Sequence, residues 1–155
     1  MTFPTVIGTN LLREKLTLPQ DFQGKLNLLF IVFEQWQQTE VNSWMDLARE
    51  LEVQINDLVY YELPTIETRN SLYKLYINEG MRVGIPNLKS RERTITLYLD
   101  KAKFLSSLDV KGEEHIFVLL VDQQGKEFFR TRGPYIPEKE AALRKTLEQI
   151  IKQEI

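Results

Sequence analysis

Leu26-Asn27-Leu28-Leu29-Phe30-Ile31-Val32-Phe33 decides the architecture of this chain. It is a run of strand length bounded by Gly24-Lys25 on one side and a polar stretch on the other, and an almost unbroken apolar run of this kind suits a strand covered on both faces. Such a strand needs a layer above it and a layer below, so the flanking sequence has to supply helices for both sides of a sheet.

The segments that follow fit that need. Val41, Trp44, Leu47, Ala48 and Leu51 recur at helical spacing, and Thr39 is placed to cap the helix by accepting from its free N–H groups. Leu58 to Leu63 reads as a second strand ended by Pro64, and Thr65 is placed to cap a helix running to about Gly80 with Leu72, Tyr73, Tyr76 and Ile77 inside it. Beyond a loop punctuated by Gly84 and Pro86, Arg93 to Leu99 is a third strand and Lys101 to Leu108 a short helix. His115 to Val121, the turn Asp122-Gln123-Gln124-Gly125 and Lys126 to Thr131 form an antiparallel hairpin that Gly133-Pro134 ends. The last helix opens near Pro137 and carries Leu143, Leu147, Ile150 and Ile151 in one stripe. Within the first 23 residues, Leu16-Thr17-Leu18 reads as a short extended segment.

The order βαβαβαββα predicts an α/β fold: a central, mixed, five-stranded sheet with right-handed parallel crossovers, a reversed final pair and helices on both faces. One domain over residues 1–155, with its core at about 24–152, is expected, because a chain of this length buries roughly 70% of the surface its unfolded form exposes.

Composition narrows the function classes. Residues 1–80 carry 6 basic and 11 acidic side chains and residues 81–155 carry 14 and 11, so any basic excess is local. Its densest piece, Arg82, Lys89, Arg91 and Arg93, reads as a solvated loop rather than a nucleic-acid track. The longest strongly apolar run is too short to span a bilayer and follows no basic leader, which predicts a cytoplasmic protein without a membrane span. There is no cysteine, in keeping with a reducing compartment.

The order of elements resembles the peroxiredoxin branch of the thioredoxin-like fold, and the lead-in Leu18-Pro19-Gln20-Asp21-Phe22-Gln23-Gly24-Lys25 shares in the likeness. In that branch the peroxidatic cysteine follows the first core strand in a segment ending Pro-Thr-Glu. Gln37-Gln38-Thr39-Glu40 is similar to that segment, with glutamine at the cysteine and proline places, so the resemblance puts the nucleophile position at Gln37. An amide cannot become a thiolate or cycle through sulfenic acid, so thiol peroxidase and disulfide exchange are excluded. Where redox-active thioredoxins carry a cis-proline, this chain has Glu114-His115-Ile116. Ile116 to Arg130, with Arg82-Val83-Gly84-Ile85-Pro86 before it, resembles the thioredoxin-like family of the mitochondrial ATP synthase assembly factor. That resemblance implies a complex-assembly role with a protein partner, with ATP synthase subunits as the candidates.

Together these readings predict a non-catalytic, protein-binding scaffold whose partner face is Gln35, Trp36, Gln37, Gln38 and Thr39. Trp44 has helical spacing and belongs to the core; Trp36 stands open between core residue and interface anchor. The alternatives are a cysteine-independent enzyme using Glu40 with Thr39 or Arg130, or a small-molecule carrier. No cofactor is expected. A lone histidine, His115, cannot build a metal set and reads as structural. Asp100 and Asp122 read as a helix cap and a turn former. Ser43, Ser71 and Ser90 lack a nucleophile elbow, and no glycine spacing makes a phosphate loop.

Overall fold

Every residue of the deciding strand is buried. The computed structural model describes residues 2–68 and 92–153. In chain order these form β1 (Val6–Asn10), β2 (Lys15–Leu18), β3 (Leu26–Val32), a single 3-10 turn at Gln35–Gln37, α1 (Gln38–Gln54) and β4 (Leu58–Glu67). After residues 69–91 come β5 (Ile95–Leu99), α2 (Lys101–Ser107), β6 (Phe117–Val121), β7 (Glu127–Arg132) and α3 (Pro137–Gln153).

The sheet is mixed, as expected, but it has seven strands instead of five, in the order β2-β1-β5-β4-β3-β6-β7. β3 pairs parallel with β4 and antiparallel with β6, and β6 and β7 form the expected hairpin. The two extra strands come from the N-terminus. Their turn is held by Asn10, whose Oδ1 accepts from the backbone N–H groups of Leu12 and Glu14 at 3.0 Å each. That is an Asx-type turn, which lets β1 fold back on β2 and add the hairpin to the edge of β5. β1 pairs antiparallel with β5, and a Cβ on Gly8 would lie 2.4 Å from Ile95 Cγ2 and 2.9 Å from Leu97 Cδ2, so a larger residue there would displace core side chains.

Residues alternating along β3 feed two cores. Leu28 and Phe30 pack with Trp44 and Leu51 of α1 and Leu143 and Leu147 of α3. Leu29 and Ile31 pack on the other face with Phe104 and Leu108, and with Phe3 and Phe22 from the N-terminal segment. Helices thus cover both faces. Each such apolar side chain contributes roughly 1.5–3 kcal/mol when fully buried. Ile151, placed on the apolar stripe of α3 by its spacing, is 40% exposed, whereas its neighbour Ile150 packs against the core.

Three local expectations are corrected. Pro64 does not end its strand: it lies opposite Val32, the last residue of β3, so its missing N–H falls where that ladder stops, and β4 continues beside β5 through Thr65, Ile66 and Glu67. Thr65 is therefore no helix cap; it is a strand residue, 1% exposed, whose hydroxyl donates to Leu63 O at 3.1 Å. Arg93 is not solvated either. Its guanidinium forks onto Glu52 at 2.7 and 3.1 Å, bonds Tyr60 O and lies 3.8 Å from the Tyr60 ring centroid. The rest of the expected helix to Gly80, with Ser71, Ser90, Arg82, Lys89 and Arg91, lies outside the described residues.

Candidate functional site

Where β3 runs out, the chain turns once and enters α1, and the polar residues of that turn take opposite directions. Gln35, Trp36, Gln38 and Thr39 are exposed, Trp36 at 55%. Gln37 is fully buried. Its side-chain oxygen accepts from Phe33 N at 2.9 Å and Glu34 N at 3.3 Å, and its amide nitrogen donates to Glu113 O in the segment before β6. No partner can touch Gln37 directly, so its part in a partner face is to position the segment it holds. Thr39 does not cap α1: the helix starts at Gln38 with Gln37 at its N-cap and no side-chain cap bond, while the Gln37 side chain, reaching back to Glu34 N, closes the preceding 3-10 turn.

Three residues on, at the i, i+3 spacing of a Cys-x-x-Cys redox pair, Glu40 also points inward and is 6% exposed. One oxygen accepts from Ile116 N at 3.0 Å and the other lies 2.7 Å from His115 Nδ1. His115 precedes β6 and its side chain is 55% exposed, so the second ring nitrogen has access to water. Its ring meets Trp36 edge to face, with centroids 6.4 Å apart. Reading His115 as purely structural missed this pair, since 75 residues separate its members.

The segment before β6 is clamped from three sides. Arg132 donates to Lys111 O at 2.6 Å, Gly112 O at 3.0 Å and His115 O at 2.9 Å. Gln37 takes Glu113 O. Lys101 bonds the Glu113 carboxylate at 2.9 Å. These bonds fix the loop that faces Trp36 without a proline in it.

Arg130, offered as a companion of Glu40, is not brought near it. It pairs in register with Leu119 on the α2 face of the sheet, bonds Leu108 O and chelates Glu127, whereas Glu40 sits on the α1 face. Ser43 bonds Glu40 O and Tyr135 N, Asp100 caps α2 through Lys103 N, and Asp122 holds its turn through Gln124 N and Lys126 N. Trp44 is in the core, its indole N–H donating to Gly133 O at 3.0 Å. A cleft of about 340 Å³ opens at the other end of the sheet, lined by Gln23, Asp57, Tyr61 and Arg93, remote from Glu40. Among the described residues no group of His, Asp or Glu could hold a metal ion, and no helix is long and apolar enough to cross a membrane.

Solved structures share this fold over nearly the whole chain. The pneumococcal exposed lipoprotein thioredoxin of Streptococcus pneumoniae matches with a TM-score of 0.57 and 17% identity, over 94% of this chain and 99% of that one. The fold is thioredoxin-like. The thioredoxin domain of a thiol-disulfide oxidoreductase from Bacteroides vulgatus matches at 0.56 and 22% identity, over 97% and 95% of the two chains. BsSco, a member of the Sco family of cytochrome c oxidase assembly proteins, matches at 0.63 and 13% identity, over 95% and 92%. No family model and no curated protein matches the sequence. None of these three structures is a peroxiredoxin or an ATP synthase assembly protein, so the likeness carries the thioredoxin-like fold and not those finer resemblances.

Proposed function

We propose that this chain is a non-catalytic thioredoxin-like protein that binds another protein, in the assembly of a complex, through the exposed face of Gln35, Trp36, Gln38 and Thr39. The observation that carries the reading is the exchange at the end of β3. The position the resemblance gives to a reactive sulfur holds a buried amide bonded to three backbone groups, and beside it a tryptophan is turned out to water. A buried amide stiffens the loop on which it acts, and an exposed tryptophan on a stiff base is a low-entropy anchor. That one structural neighbour belongs to an assembly-protein family is in keeping with this role. The resemblance of Ile116 to Arg130 suggests ATP synthase subunits as the partner, and the cytoplasm as the place follows from the sequence reading.

The test is affinity capture from the native cell with the full chain and its Trp36→Ala form. The expected result is a partner recovered by the first and lost by the second. Recovery of the same proteins in the same amounts by both would sink the assignment of this face.

A second reading is favoured by Glu40 and His115. A buried carboxylate on Nδ1 fixes the ring and leaves Nε2 outward, the arrangement of an oriented base. If it acts, hydrolysis of p-nitrophenyl acetate exceeds that of the His115→Gln form; equal rates remove it.

A further inference from the structure

We infer that the cleft lined by Tyr61 and Arg93 binds a small hydroxylated amine, an amino sugar or amino alcohol, with its oxygens on those two residues and its ammonium group on Glu92 and Asp57. The site is separate from the Trp36 face and stands or falls without it.

Two members of the lining are buried side chains with donors left over. Tyr61 is 4% exposed, and its hydroxyl oxygen already accepts from Gln23 N at 2.9 Å. The hydroxyl hydrogen has no acceptor among the described residues. The charges of Arg93, Glu92 and Glu52 all act on this group, which places the polar end of the ring at the cleft those residues line. Burial pushes the phenol above its ordinary range, so it remains a donor at neutral pH. Arg93 has five N–H groups and uses three of them, two on the Glu52 carboxylate and one on Tyr60 O. Its Nε–H and the second Nη2–H have no acceptor among the described residues. Donors on buried side chains are as a rule satisfied, so a cleft bordered by these unused ones suits a ligand rich in oxygen acceptors.

The charges decide what else the ligand carries. A guanidinium alone would favour an anion, but Glu52 already neutralises Arg93. Glu92 and Asp57 are exposed at the same cleft. Glu92 makes no hydrogen bond or ion pair among the described residues, and the Asp57 carboxylate meets only Lys25, at 3.8 Å between two exposed side chains. The lining therefore holds three carboxylates against one guanidinium, which repels a phosphate or carboxylate and attracts an ammonium group. Buried donors and exposed carboxylates together fit one molecule with neutral oxygens on one side and a cation on the other. The space of about 340 Å³ is at the small end of ligand pockets, roughly 300–1,000 Å³, and suits a single sugar ring better than a nucleotide.

The probes are glucosamine, glucose and cyclohexylamine, each titrated to about 50 mM into the full chain at low salt and mildly acidic pH, where the amines are protonated. The backbone amide signals of Gln23, Leu58 and Val59 report on the cleft. Glucosamine should reach half-saturation at about 1 mM, and the other two, each lacking one half of the pattern, should bind at least about threefold more weakly. Glu92→Gln alters a side chain that holds nothing else and should weaken glucosamine about threefold, the loss of one exposed charge pair. Tyr61→Phe should weaken glucosamine and glucose alike, by about fivefold, the loss of one hydrogen bond. If that form fails to fold for want of the Gln23 contact, Glu92→Gln and the comparison of the three probes decide. The assignment is overturned if no amide of the cleft shifts with glucosamine, if glucose or cyclohexylamine binds as tightly, or if Glu92→Gln leaves glucosamine binding unchanged. Shifts confined to residues 113–116 would put the amine at the Trp36 face and overturn it equally.

Discussion

Two buried amides bracket the central strand, Asn27 near its start and Gln37 just beyond its end, and both are fully buried. At the start, Asn27 Oδ1 accepts from Gly24 N and its nitrogen donates to Gly24 O, each at 2.9 Å. Every partner there is backbone of the same turn or of β6, and a Cβ on Gly24 would lie 2.4 Å from Leu26 O. At the end, the amide of Gln37 spans two segments that meet only in the fold, and its chain neighbour Trp36 is exposed. The chemistry is the same, and what differs is the surroundings: one amide closes a turn on itself, the other tethers the turn after β3 to the segment before β6. A buried polar side chain identifies a functional surface only when what it holds is itself exposed.

Removing each amide tests that distinction. Asn27→Ala strands Gly24 N and Gly24 O in a dry turn, and unsatisfied buried groups cost about 1–3 kcal/mol each, so a loss of about 3 kcal/mol in urea unfolding is expected. Capture of a partner through the Trp36 face should be unchanged. A loss under about 1 kcal/mol would mean that water replaces the side chain and that the two ends are not as different as their burial indicates.

Gln37→Ala should cost less, about 1–2 kcal/mol, because Glu34 N and Glu113 O lie near the rim and can rehydrate. Its signature is local. Amide exchange at residues 113–116 should speed up while that of β4 and β6 stays slow, since the loop loses one of its clamps and the sheet loses nothing. If Asn27→Ala loosens residues 113–116 as much as Gln37→Ala does, Gln37 is no more a tether than Asn27.

The same contrast explains what could be read in advance. β3 was legible because a continuous apolar run has few other homes, and the β6–β7 hairpin because Asp122 and Gly125 announce its turn. β1 was hidden: its inward positions are Gly8 and Asn10, one without a side chain and one polar, so no alternation of apolar residues shows. Asn10 itself was the available signal, as an Asx turn before Lys15. Pro64 misled because its effect depends on where the neighbouring strand stops, which is a property of the pair. At the site, Trp36 and Gln37 share a turn and were legible together, whereas Glu40 and His115 meet only through the fold. Glu34 and Gln37, three apart, form the capping box of the 3-10 turn before α1, a turn that sequence spacing alone did not separate from the helix.

Glu62 sharpens the comparison from the unfavourable side, with the smallest effect. It faces the α1 layer from β4, opposite Phe30, and burial pushes its carboxyl above the ordinary range; a hydrogen bond from Gln38 and the charge of Arg93 oppose that rise without cancelling it. Because the folded-state pKa lies above the unfolded one, whatever stability the protonated carboxyl contributes is fully present below the unfolded value, about 4.3, and is lost as pH rises through the folded value. Towards neutral pH, therefore, the folded state loses the advantage it has with the protonated carboxyl. Glu62→Gln removes the charge while retaining an amide able to bond Gln38, so it should stabilise the protein by about 0.5 kcal/mol at pH 7.5, the low end for a favourable single substitution. The gain should shrink on acidification and vanish by about pH 3.5, where the native glutamate is protonated in both states. Thermal melts of the two forms at both pH values decide it. A loss of stability at pH 7.5 would show that Arg93 compensates the buried charge fully, making Glu62 a satisfied group like Asn27 rather than a strained one.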